Sequence, residues 1–171
     1  MGRDELSRVA EIDRQERIEV LYQQQGVQLI ERHGKWDAPA WDADGDREHS
    51  VAAKVREAEQ YVEAGGVAVG AYANDRLVGI GIVLPHLRLQ IAQLAFLHVS
   101  APFRNAGIGS RLSDLLDQIA REHGATEIVV SATPSANTVC FYLANGYQPA
   151  EQPVAELVRL EPDDIHMSKS L

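Results

Sequence analysis

The sequence is short of sulfur and of aromatic surface: one cysteine, two methionines, and 6% Phe, Trp and Tyr in 171 residues. A single thiol, Cys140, excludes an internal disulfide and any zinc site built on several cysteines, and no metal is expected. It stands in the apolar run Val139-Cys140-Phe141, which suits a buried, inert thiol better than a nucleophile. Basic residues are scarce too, 16 Lys and Arg against 25 Asp and Glu, for a formal net charge of −9. That balance argues against broad contact with nucleic acid or with an anionic membrane. It is compatible with a cationic ligand, and equally with simple solubility. Long apolar runs are missing, so no segment is expected to span a bilayer. The opening MGRDELSRVAEIDRQ is acidic and lacks the apolar stretch of a secretory signal, and Ser7 falls one position too late for the myristoylation pattern. A soluble, cytoplasmic protein is expected. What is present, 45% hydrophobic and 24% charged residues, describes an ordinary globular chain. One domain over residues 1–171 would bury about 70% of the surface its unfolded chain exposes.

Leu6, Val9, Ile12, Ile18, Leu21 and Tyr22 predict a helix over residues 4–24. The polar stretch His33 to His49 reads as a long loop. Val51, Val55, Ala58 and Val62 predict a second helix, stopped by Gly65-Gly66. VAVGAYA and RLVGIGIVL, separated by Asn74-Asp75, read as a hairpin, and IAQLAFLHV as a strand covered on both faces. Leu112, Leu115, Leu116, Ile119 and Ala120 form the apolar stripe of a helix, and EIVVSAT follows it as a strand. Strand, helix and strand so joined imply a parallel crossover. A short helix over 135–145 and a last strand, IHMSKSL, complete a mixed α/β chain, antiparallel in its first half.

The turn before the long helix reads SAPFRNAGIGSRL, Ser100 to Leu112. Without side chains at Gly107 and Gly109, an anion could reach the N–H groups of residues around 105–110, at the carboxyl end of a strand and the start of a helix. Arg104 would add a charged donor. The P-loop pattern does not occur, and the dinucleotide fingerprint fails because Leu112 stands where its third glycine belongs. Read alone, the glycines could equally serve a tight turn or close packing.

Arg104-Asn105-Ala106-Gly107-Ile108-Gly109 resembles the R/Q-x-x-G-x-G/A pyrophosphate motif of the GNAT superfamily of N-acyltransferases. Phe141 to Tyr147, FYLANGY, is similar to the F-Y-x-x-x-G-F ending of that fold's fourth helix. The resemblance runs from about Val67 to Leu171. It carries no functional residue onto residues 1–65, which are left as a helical and loop region on the acceptor side. It implies a twisted mixed sheet with splayed parallel central strands and about four flanking helices, and acetyl-CoA as co-substrate. Arg104, Asn105, Ala106, Gly107, Ile108, Gly109 and Ser110 would cradle the pyrophosphate, and the strand carrying Leu97 and Val99 would pair with the pantetheine arm. Tyr142 falls on the tyrosine that protonates the leaving thiolate, although its i, i+3 spacing from Val139 also suits a core residue. Ser135 stands where many members place a pantetheine-binding Asn, with Asn137 two residues later.

A glutamate that serves some members as base is replaced by Gln93, which takes up no proton near neutrality. His98 is the titratable alternative, or else a structural histidine. Trp36 and Trp41, with Asp42, Asp44 and Asp46, could form an acceptor pocket, but a loop whose aspartates serve turns and caps is the favoured reading. The expected activity is acetyl transfer to a primary amine, on a small molecule or on a peptide or protein, by direct attack in a ternary complex. The alternatives are a non-catalytic CoA-binding sensor of the same fold and an interaction domain with no ligand. A homodimer is compatible with the resemblance.

Overall fold

The structure, a computed structural model, describes residues 1–171. Leu6, Val9 and Ile12 recur every three positions, and a 3-10 helix sets such residues in line. Arg3–Glu11 is accordingly a 3-10 helix with Leu6 and Val9 fully buried. From Glu16 the period becomes two. Ile18, Val20 and Tyr22 are half-buried while Arg17, Glu19 and Gln23 are exposed, and the segment is strand β1 (Glu16–Gln25), paired antiparallel with β2 (Gln28–Ala38). The helix expected over 4–24 is therefore corrected, and the loop expected from His33 begins only after Ala38.

Ser50 caps α1 (Val51–Glu63), its Oγ accepting from the Ala53 N–H at 3.1 Å. Strands β3 (Val67–Ala73), β4 (Arg76–Arg88) and β5 (Ile91–Val99) follow as a meander. Asn74 and Asp75 both have positive φ, as a tight hairpin turn requires. In β4, Ile80 and Ile82 fill one face. Gly79 and Gly81 leave space on the other for Leu112 and Leu116 of α2 (Ile108–Glu122), whose methyl carbons lie 3.1 and 2.7 Å from where a Cβ would stand. Leu115, expected in the buried stripe of α2, is 42% exposed. Beyond α2 come β6 (Glu127–Ala132), α3 (Ala136–Ala144), β7 (Gln148–Pro149), α4 (Ala155–Leu160) and β8 (Ile165–Ser170).

The main sheet has the order β3-β4-β5-β6-β8-β7, with β5 and β6 its parallel pair. Helices α2 and α3 cover one face, around Leu116, Val130, Val139 and Tyr142. The 3-10 helix, α1 and Trp41 cover the β3–β5 part of the other, and α4 covers Val129. No helix is long and apolar enough to cross a membrane.

Two features position the site. Parallel pairing of β5 with β6 lasts only from Ile91–Glu127 to Gln93–Val129, after which the strands part into a wedge. The β1–β2 hairpin forms a separate sheet, and β1 spans the carboxyl ends of the parted strands. Ala101 N–H donates to the Asp13 carbonyl just before β1 (2.8 Å), and Tyr22 N–H donates to Pro134 O just after β6 (2.7 Å). At the far end the Gln24 side chain holds both main-chain groups of His166, at 2.8 and 3.3 Å.

Candidate active site

The turn after β5 is built so that its amides face nothing of the protein. Ala101–Phe103 make one 3-10 turn, and Arg104 is then pinned by its side chain. Its Nε donates to Val99 O at 3.0 Å and its Nη1 to Gln15 O at 2.9 Å. Asn105 (φ 61°) and Gly107 (φ 79°) both take the left-handed conformation, which reverses the chain into α2. From Asn105 to Ser110, six consecutive N–H groups donate to no protein atom, and the first bond into α2 is Arg111 N–H to Gly107 O. A side chain at Gly107 would meet nothing within 4 Å, so this surface is open, whereas one at Gly109 would stand 3.0 Å from the Phe141 ring. The first glycine serves conformation and access, the second the seating of α2 against α3. Arg104 fixes the turn's shape through Nε and Nη1, while its Nη2 donates to no protein atom.

The edge of β5 continues the same surface. Ser100 N–H donates to Val78 O, so Val99 and Leu97, at the alternate positions, turn their main-chain groups away from β4 and into the wedge. Beyond Gln93 no β6 residue pairs with them. A run of free amides at a helix N-terminus complements phosphate oxygens, and a free strand edge complements an extended arm that carries amides. Along the chain the strand edge comes first and the amide turn follows it.

Tyr142 lies on the inward face of α3, 5% exposed, edge-on to Phe141 and Tyr147 at 5.1 and 5.2 Å. Its hydroxyl has no hydrogen-bond partner, yet it is not among the side-chain atoms sealed from both partner and solvent, which are Trp41 Nε1 and Ser113 Oγ. Burial, with the charge of Asp164 second, pushes its pKa up, so the phenol keeps its proton through the alkaline range. His98 projects to the opposite face, against Phe96 and Trp41 with ring centroids 4.6 and 5.1 Å away. Burial first, then the charges of Lys54, Arg14 and Arg104, push its pKa down to about 3. Such an imidazole is neutral near pH 7 but a weak proton acceptor. Gln93 is buried in the paired part of β5.

The remaining residues separate. Ser135 caps α3, its Oγ accepting from Thr138 N–H and donating to Thr138 Oγ1 (3.0 Å). Asn137 Nδ2 donates to Glu16 Oε1 at 2.9 Å, and Glu16 also faces Arg104 at 4.0 Å, so this carboxylate of β1 links the turn to α3. A groove of ≈ 300 Å³ opens beside that link, between β1 and the start of α3. Trp36 lies half-exposed on β2 opposite Ile18, and Trp41 is buried under α1, so the two tryptophans share no pocket. Asp42 Oδ1 accepts from the N–H groups of Asp44 and Gly45 (3.1 and 3.0 Å), a turn-making role. Cys140, expected to be buried, is exposed. Val139 and Tyr142 turn inward on α3, and Cys140 falls on the outer side between them. The helical reading of residues 4–24 hid β1, whose signal is the alternation of Ile18, Val20 and Tyr22.

The sequence model of the Acetyltransferase (GNAT) family matches residues 30–147. Among solved structures, nourseothricin acetyltransferase superposes with a TM-score of 0.73 at 15% identity, over 99% of this chain and 95% of that one. A proposed streptothricin acetyltransferase from Bacillus anthracis str. Ames, in complex with acetyl coenzyme A, gives 0.67 at 14% identity, over 94% and 89%. An aminoglycoside 6'-N-acetyltransferase complexed with coenzyme A gives 0.59 at 22%, over 72% and 82%. Against curated protein sequences nothing matches.

Proposed function

The chain belongs to the acetyltransferase (GNAT) family, and from that premise we propose that it moves an acetyl group from acetyl-CoA to a primary amine in a single ternary complex. The observation that carries this reading is the row of six unshared amides from Asn105 to Ser110, continuous with the free edge of β5. Acetyl-CoA supplies an activated acyl carbon and a thiolate leaving group. The amides of 105–110 hold its diphosphate, the main chain of Leu97 and Val99 aligns the arm, and an N–H at the end of β5 faces the thioester oxygen. Tyr142 delivers a proton to the departing sulfur, a role supported by its inward place on α3 and its unpartnered hydroxyl, which burial keeps protonated. Direct attack is favoured because Cys140 lies on the side of α3 away from Tyr142, so it is ill placed to receive the acyl group. We read residues 1–171 as one acetyltransferase unit, with residues 1–65 on its acceptor side. The net charge of −9 suits a cationic amine.

Calorimetry with CoA and with acetyl-CoA, beside thiol release over a panel of amines, tests this reading. CoA binds, and Tyr142→Phe lowers kcat about 100-fold while leaving the heat of CoA binding unchanged. No heat with either compound overturns the reading. Binding without thiol release on any amine assigns the chain to the sensor class.

A further inference from the structure

The reaction needs a group to take the acceptor's proton, and neither Gln93 nor His98 is suited to it. Asp164 stands where the sequence carries no motif. Ile165 opens β8 opposite Ala132, the last residue of β6. Asp164 therefore sits just past the carboxyl end of β6, on the side of that strand away from β5 and beside the mouth of the wedge. It is half-buried, and its carboxylate accepts no hydrogen bond and joins no ion pair. The turn beneath it is fixed: its own N–H donates to Glu161 O at 3.2 Å, and His166 Nε2 lies 3.1 Å from the same carbonyl.

Two neighbouring elements reach this place. From α3, Tyr142 is 5% exposed with an unpartnered hydroxyl, near enough for the charge of Asp164 to oppose its ionisation. From α1, Lys54 acts electrostatically on Asp164 and, at the end of β5, on His98. An unshared carboxylate past the end of β6 and an unshared phenol on α3 thus lie toward the end of the sheet where β5 and β6 have parted.

We propose that Asp164 is the proton acceptor of the transfer, receiving the ammonium group of the incoming amine and taking its proton. This rests on the acetyltransferase reading of the same site. The ammonium passes one proton to Asp164 and thence to solvent. The freed lone pair forms the N–C bond to the thioester carbonyl carbon as the C–S bond breaks, its electron pair remaining on sulfur. Tyr142 gives sulfur its proton, and the second proton lost from nitrogen returns to the phenol through solvent, leaving amide, thiol and one released proton. Burial, then repulsion from Glu161 and Asp163, raises the carboxyl pKa to about 6, opposed by Lys54. A base in that range is ionised at neutrality and still accepts a proton readily.

The test follows thiol release with acetyl-CoA and nourseothricin, an aminoglycoside, ethanolamine or a lysine peptide, from about pH 5 to about pH 9, for wild type, Asp164→Asn and Asp164→Glu. In wild type the logarithm of kcat/KM rises one unit per pH unit below the amine's pKa, and two units below about 6. Asp164→Asn is about 100-fold slower and keeps the single slope throughout, while Asp164→Glu recovers part of the rate. Folding is checked by melting: Asp164→Asn is the more stable protein at pH 7, and the difference vanishes as pH falls below about 4, where both states are protonated. An Asn variant within threefold of wild type with the same double slope overturns the proposal. So does failure of every amine on protein that binds CoA. Absence of CoA binding in wild type overturns instead the reading on which it rests.

Discussion

His98 shows how one side chain registers the packing around it. Its ring is wedged between Trp41 and Phe96, with Lys54, Arg14 and Arg104 adding positive potential. The folded state holds it neutral down to about pH 3, whereas the unfolded chain protonates it near its ordinary 6.5. A lowered histidine pKa means that the unfolded state binds more protons between those values. The native state is therefore fully favoured above pH 6.5 and loses that advantage progressively toward pH 3. His98→Phe should flatten the fall of melting temperature between pH 6.5 and pH 4, seen by calorimetric melts against wild type. At this scale the sequence was partly legible. Tyr142 could be singled out because FYLANGY resembles the ending of the family's fourth helix, and it does turn inward on α3. Asp164 could not, since its position depends on which strand β8 joins and in what register, and both are settled far from it in the chain.

Among elements, α2 is held to the sheet by polar as well as apolar contacts. Asp117, 2% exposed, receives Lys169 Nζ of β8 at 2.6 Å and the Tyr147 hydroxyl at 3.4 Å. Lys169→Met would leave a buried carboxylate without its cation and destabilise the protein by about 3 kcal/mol. The melting temperature would fall by roughly 6–12 °C, and adding Asp117→Asn would recover much of it. Periodicity revealed α1 and α2, each with one apolar stripe, while the β3–β5 meander was legible from apolar runs set off by the Asn74-Asp75 turn. It misled at the N-terminus, where a period of three passes into a period of two within six residues, and a helical template spans both. The wedge was foreseen only through family resemblance, because no local pattern says where two parallel strands cease to pair.

For the whole molecule, the net charge of −9 acts in opposite senses on the two proposed substrates. It attracts a cationic amine and repels the polyanionic CoA, which the local amides must hold against that field. Salt shortens both effects, the screening length being about 8 Å at physiological ionic strength. Raising salt should lower kcat/KM for a cationic amine while speeding CoA association, measurable by stopped flow. Equal responses of the two would show that the overall field steers neither.

Strand β8 lies between β6 and β7 although both precede it, so the sheet is completed by insertion and not by growth at an edge. The strand edge and the turn of unshared amides draw on neighbours in sequence, from Ile91 to Glu122. The far edge of β6 is covered only when Ile165 and the residues after it slot into place, and Gln24 gains its clasp on His166 at the same step. On the ribosome this order becomes a timetable. The pieces proposed to seat the nucleotide emerge together, well before the mouth that would use it can close.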